Sequence, residues 1–245
     1  LSKSDKINAC SAHYYKYMEK GKLFIIASPI GNLSDITLRG IETLKNVDLI
    51  LSEDTRETDK VLKKYEINIP QISYRDQNHE AVFPKIEASL ENGLDLALIS
   101  DSGTPLISDP GYKLVRDLIK KGFEIVSIPG PCAAISALVS SGFPTDKFSF
   151  LGFLPKTSGD RARLIKQYGD LDSTLIFYES PFRIEKLLKE IRENLGERYV
   201  CLANEITKIH EKTIRGNVSL LIELVKGKRL KGEFVVLVGK EGFSI

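Results

Sequence analysis

Cysteine is scarce. Cys10, Cys132 and Cys201 are widely spaced in 245 residues and form no C-x-x-C pair, which argues against a disulfide framework or a zinc site and suits a reducing compartment, read as cytoplasm. Charge of one sign is also lacking: 35 basic against 33 acidic side chains leave +2, so no uniform field draws the chain to a polyanion and any nucleic-acid surface must be local. No apolar run approaches the ~20 residues that span a bilayer, and residues 1–21 have no signal-peptide core. No membrane partner and no metal are expected. Neither G-x-G-x-x-G nor G-x-x-x-x-G-K-[ST] occurs, so a nicotinamide Rossmann site and a P-loop have no support. Methionine occurs once, at Met18. Translation is expected to start there, with 1–17 an upstream stretch; a short native extension is the alternative.

What is present is an alternation of short apolar runs with helical patterns, the mark of βαβ units. Strands are expected at "KLFIIA" 22–27, "VDLILS" 47–52, "LDLALIS" 94–100 and "FEIVSI" 123–128, with helical spacing at Leu38, Ile41 and Leu44 and at Leu114, Leu118 and Ile119. A second set follows at 148–153, 173–179, 199–205, 211–216 and 233–239. The expected fold class is α/β with two domains after the 1–21 extension. Residues 22–146 carry a mostly parallel sheet and 147–245 a mixed sheet, more antiparallel because "EKTIRG" follows its predecessor so closely.

Carboxylates sit just past the strands: Glu53 and Asp54, Asp101, Glu179 and Glu205. Ligands of open α/β sheets bind outside the carboxyl ends of strands, so these acids read either as a ligand cleft or as caps of the following helices, the role expected of Asp35. The loops "SPIGN", "DSGTP" and "IPGPCAA" each pair Gly with Pro after a strand. Such loops bring backbone N–H and C=O groups to a ligand in a fixed conformation.

The blocks "SPIGNLSDITLRGIETLKNVDLILSEDTR", "ISDSGTPLISDPGYKLV", "IPGPCAAISALVSSGFPTDKFSFLGFLP", "TLIFYESPFRI" and "LKGEFVVLV" resemble the bacterial ribosomal RNA small-subunit methyltransferase I family. The resemblance implies a tetrapyrrole-methylase fold, S-adenosylmethionine in a cleft between two domains, a homodimer, and methylation of a cytidine ribose 2′-oxygen in the decoding centre of 16S ribosomal RNA. It places Pro29, Ile30 and Gly31, Asp101, Ser102, Gly103, Thr104 and Pro105, Ile107, and Pro131, Cys132 and Ala133 around the cofactor. From the second domain it adds Phe177, Tyr178 and Glu179, Asn204 and Glu205, and Gly232 and Glu233.

In-line methyl transfer to an alcohol needs positioning and a base near the hydroxyl. Glu179 and Asp101 are the favoured bases, with Glu205 and His210 behind them. Lys156, Arg161, Arg163 and Lys166 are expected to meet RNA, and Tyr74 and Arg75 to stack on or clamp an extruded base. Ser28, Ser102 and Asn204 depart from the family's usual threonine, alanine and arginine, and Thr157, Ser158 and Asp160 dilute the basic loop. Two rival readings remain: a same-fold methyltransferase acting on a tetrapyrrole or a protein, and a non-catalytic RNA-binding assembly factor.

Overall fold

The computed structural model describes residues 20–245; the expected start at Met18 lies outside the described residues. Two compact units form, one from 20–28 and Ile36–Gly130, the other from Pro29–Asp35 and Pro131–Ile245.

The first unit holds strands β1 (Leu23–Ile26), β2 (Leu49–Ser52), β3 (Gln71–Ser73), β4 (Leu96–Ile99) and β5 (Ile125–Ile128), with helices α1 (Leu38–Asn46), α2 (Thr55–Lys64), α3 (His79–Glu91) and α4 (Tyr112–Lys120). The sheet order is β3-β2-β4-β1-β5 and every pairing is parallel, with Leu23 opposite both Leu96 and Ile125. β4 reads as an unbroken apolar run because both its faces are covered. Leu23, Leu51, Leu96 and Leu98 pack with Ile86 and Leu90 of α3 and Leu114 and Leu118 of α4, while Ile26 faces Gly40 of α1 on the other side. The expected capping by Asp35 is not what forms α1. Asp35 closes a 3-10 turn and Thr37 is the cap, its side chain accepting from Gly40 N at 3.0 Å.

The second unit holds α5 (Ala133–Ser141), β6 (Phe148–Phe153), α6 (Ser158–Gly169), β7 (Thr174–Glu179), α7 (Ile184–Leu195), β8 (Tyr199–Asn204), β9 (Lys212–Asn217), α8 (Val218–Val225) and β10 (Phe234–Val238). Its sheet runs β6-β7-β10-β8-β9, with β6 parallel to β7 and the remaining pairs antiparallel, as expected of a mixed sheet. Strand alternation sends Leu175, Phe177, Val200, Leu202 and Val236 to a core under α6, α7 and α8, and Ile176, Cys201, Ala203, Val235 and Leu237 to a core under α5. That second core accounts for a boundary earlier than the expected 146. Ala134, Ala137 and Leu138 make α5 part of the second sheet's packing, so the division falls after Gly130. Among the described residues no helix is long and apolar enough to cross a membrane.

Candidate functional site

All strands of the first sheet end at the same edge, because all are parallel, and β1 lies between β4 and β5. The glycine loops therefore leave from neighbouring strands. Ser28 and Gly103 exchange backbone bonds, Ser28 N donating to Gly103 O at 2.8 Å and Gly103 N to Ser28 O at 3.2 Å. Ser100 Oγ donates to the same Gly103 carbonyl at 3.2 Å. Gly103 has φ +82°, where a side chain would strain the backbone. A Cβ on Gly130 would lie 2.8 Å from the Ala27 Cβ, so the loop after β5 approaches the end of β1 as closely as backbone allows.

Beside these loops the carboxylates converge. Asp101 Oδ1 accepts from Asp54 N at 2.9 Å, and Asp101 N donates to Glu53 Oε2 at 3.3 Å. Arg75 Nε donates to the Glu53 carbonyl at 3.0 Å. Partial desolvation raises the carboxyl groups of Glu53 and Asp101 from their ordinary values, and like charge adds to it, from Asp101 on Glu53 and from Asp54 on Asp101. Asp109 is pushed up to about 7, first by burial and then by the charges of Glu53 and Asp101. Asp54 behaves otherwise. It caps α2 through Arg56 N at 2.9 Å and pairs with the Arg56 guanidinium, which holds its carboxyl far below the usual range. For Asp54 the capping alternative holds.

In the second unit, residues from separate parts of the chain meet in one corner. Phe234 of β10 lies opposite both Glu179 at the end of β7 and Asn204 at the end of β8. Glu205 Oε1 accepts from Glu233 N at 3.0 Å and from Lys208 Nζ at 2.9 Å, and Lys208 reaches Glu233 Oε2 at 2.8 Å. Asn204 Nδ2 donates to the carbonyls of Lys231 at 3.1 Å and Glu233 at 3.0 Å. Gly232 has φ +80°, and a Cβ there would strike the Glu205 carboxyl carbon at 2.5 Å. Gly31 joins them: a Cβ on it would lie 2.4 Å from Lys208 Cγ. Glu205 and Thr207 adopt φ +52° and +66°, so this corner holds non-glycine residues in the left-handed region. Next to it, Tyr178 Oη accepts from Ala134 N at 3.2 Å, and Cys132, Ala133 and Ile206 pack in the same layer.

Several expected site residues are placed elsewhere. Phe177 is wholly buried in the core under α6, α7 and α8, since its neighbour Tyr178 takes the other face. Its side chain is core packing, not a cofactor contact. Glu179 shares the Phe177 face and its side chain is 1% exposed. Ser180 N donates to its Oε1 at 2.7 Å, and Arg183 Nη2 lies 3.2 Å from Oε2. Burial raises its carboxyl, but the group anchors the turn after β7 instead of standing open as a base. Tyr74 is 0% exposed, bonded to His79 Nδ1 at 3.0 Å, and cannot stack on a base. Arg75 is exposed yet tied to the end of β2.

The basic loop is altered most. Arg161 is 2% exposed and forms a two-pronged pair with Glu190, adding bonds to the Pro155 and Lys156 carbonyls at 2.8 and 3.1 Å. It organises α6 against α7 and offers nothing to RNA. Arg163 is exposed but paired with Asp160 at 2.6 Å, leaving Lys156 and Lys166 exposed and without an ion pair among the described residues. Pro29 and Ile30 are buried, Ile107 is 40% exposed, and Asp101 and Ser102 face solvent. Lys208 is a site residue that the sequence does not single out. A lysine three residues after Glu205 carries no pattern of its own, because the left-handed residues that fold it back are not a sequence motif.

Residues 22–221 match the family described as tetrapyrrole (corrin/porphyrin) methylases. The chain is also similar to proteins named ribosomal RNA small subunit methyltransferase I. That of Thermotoga maritima is 46% identical over 222 residues, 90% of this chain and 100% of the relative. That of Halalkalibacterium halodurans is 41% identical over 95% of this chain and 80% of the relative. That of Escherichia coli O157:H7 is 46% identical over 89% and 78%.

Proposed function

The chain belongs to the tetrapyrrole (corrin/porphyrin) methylase family, and to its ribosomal RNA small subunit methyltransferase I members, and on that premise we propose that it methylates small-subunit ribosomal RNA from S-adenosylmethionine. The acceptor in this reading is the ribose 2′-oxygen of a decoding-centre cytidine in 16S RNA. The observation that carries it is the backbone cradle of Ser28, Gly103 and Gly130, where a 2.8 Å approach to Ala27 leaves no room for a side chain. Such a cradle suits a ligand that is read through backbone groups, and the neighbouring Asp101, Glu53 and Asp109 carboxyls suit one that carries positive charge.

S-adenosylmethionine, when bound, supplies an electrophilic methyl on a cationic sulfur. Asp101 to Pro105 and Pro29 to Gly31 would hold it from their loops, and Pro131 to Ala133, Tyr178, Asn204, Glu205, Gly232 and Glu233 are the remaining contacts we assign. The acceptor hydroxyl must lose its proton as its oxygen gains the methyl carbon. Asp109, titrating near 7, matches that task at neutral pH better than the buried Glu179, and Asp101 is the second candidate.

The test is to incubate the protein with 30S subunits, with naked 16S RNA and with methyl-labelled S-adenosylmethionine, then map the label. The expected result is one labelled cytidine whose 3′ linkage resists alkali, as a 2′-O-methyl requires. Absence of label from every RNA would overturn the reading.

A further inference from the structure

Residues 226–231, "KGKRLK", carry four cations in six positions directly after α8. Lys226, Lys228, Arg229 and Lys231 are all exposed. Lys226 pairs with Glu223 at 3.5 Å; Lys228, Arg229 and Lys231 have no ion pair among the described residues. Other exposed cations share that condition, Arg39, Lys45, Lys85, Lys156, Lys166, Lys186, Arg192 and Lys212 among them, but nowhere else among the described residues do three such groups fall within four positions. On α2, Arg56, Lys60 and Lys63 are matched by Asp54, Glu57 and Asp59. Lys189 is matched by Glu185, Lys208 by Glu205 and Glu233, and Arg163 by Asp160. In a chain whose net charge is only +2, this loop is a concentrated block of uncompensated positive charge.

The backbone beneath these cations is held. Gly227 turns out of α8 with φ +67°, and its N–H donates to Glu185 Oε2 at 3.4 Å. Lys228 N closes on the Val225 carbonyl at 3.0 Å. Leu230 packs on the core under α6, α7 and α8, and Asn204 Nδ2 clasps the Lys231 carbonyl at 3.1 Å. One apolar residue is thus anchored inward while the charged residues on either side of it stay in solvent. The loop runs straight into Gly232 and Glu233, and so borders the Glu205–Lys208 corner of the same unit. The negative end of the α8 dipole adds a local preference for cations here, but it does not compensate three of them.

We infer that the 226–231 loop is a phosphate-binding surface that docks the RNA backbone, with Lys228, Arg229 and Lys231 each facing a phosphate. This rests on the reading that the substrate is ribosomal RNA. Exposed, unpaired, strongly charged side chains on a fixed loop fit a polyanion, whose condensed counterions are released when it binds. They contain no base-reading geometry, so the loop supplies affinity and placement, not sequence choice.

The test compares wild-type protein with the Lys228→Ala/Arg229→Ala/Lys231→Ala variant. Naked 16S RNA binding is measured between 50 and 200 mM KCl, and methyl transfer to 30S subunits is measured alongside. Each lost phosphate contact should reduce the slope of log affinity against log salt by about 0.7 to 0.9. The triple variant is therefore expected to lose about 2 to 3 of that slope and to bind at least tenfold more weakly at 50 mM, while S-adenosylmethionine binding and thermal melting stay at wild-type values. An unchanged slope in a wild type that does methylate RNA would overturn the inference alone. So would a loss confined to whole subunits with naked RNA unaffected, which would assign the loop to a ribosomal protein. If wild type labels no RNA, the functional reading fails first.

Discussion

Near pH 7 the carboxyl group of Asp109 is poised between its two protonation states, because burial and the nearby charges of Glu53 and Asp101 all disfavour the ionised form. Activity that depends on this group as a base must rise with pH through about 7. Stability must run the other way. An acid whose folded pKa lies above its unfolded value releases its proton first in the unfolded chain, so its contribution falls as pH climbs from about 4 to about 7 and is fully lost above that. Asp109→Asn should therefore lower kcat by about two to four orders of magnitude, remove the limb of the pH–rate profile centred near 7, and melt above wild type at pH 8 with a difference that closes toward pH 4. A profile that keeps its midpoint in the variant would pass the role to Asp101.

The same scale shows where sequence reading fails. Asp101, Gly103 and Glu205 were found because each follows an apolar strand or belongs to a recognisable loop. Asp109 and Lys208 were not assigned, since their positions depend on residues held at positive φ, Leu106 and Ser108 for one and Glu205 and Thr207 for the other. Non-glycine residues in that region leave no trace in composition.

Strands and helices are the scale at which the sequence is most legible. Every strand longer than three residues was expected within two residues of its ends, as β7 at 174–179 and β10 at 234–238 show. β3 was missed because Gln71–Ser73 is short, polar and at the sheet edge, with one parallel neighbour. What apolar periodicity cannot say is which polar residue an element buries. Arg161 lies in a run of polar and basic residues and reads as a surface cation, but α6 packs that turn against α7 and Glu190 meets it there. Removing one partner of a buried pair strands the other charge, so Arg161→Ala should cost about 3–5 kcal/mol of stability. Denaturant titration of this variant beside Lys156→Ala checks the assignment. Arg161→Ala is expected to lose much of its folding free energy and Lys156→Ala almost none. If Arg161→Ala instead unfolds like wild type, α6 is not held by this pair.

Taken as a whole molecule, the chain is almost neutral, and a nearly neutral protein that acts on a polyanion must place its charge unevenly. The +2 of the whole sequence is too small to steer RNA at physiological salt, where fields decay over about 8 Å. Position, and not total charge, should decide binding. Lys228→Ala/Arg229→Ala brings the net charge from +2 to zero. Adding Glu42→Gln and Glu193→Gln, two exposed carboxylates without an ion pair among the described residues, restores +2. If a general field governed association, the quadruple variant would regain wild-type RNA affinity. The loop reading expects it to stay as weak as the double variant, with the same salt slope, about 1.4 to 1.8 below wild type. Recovery of more than half the lost affinity would show that net charge carries the attraction.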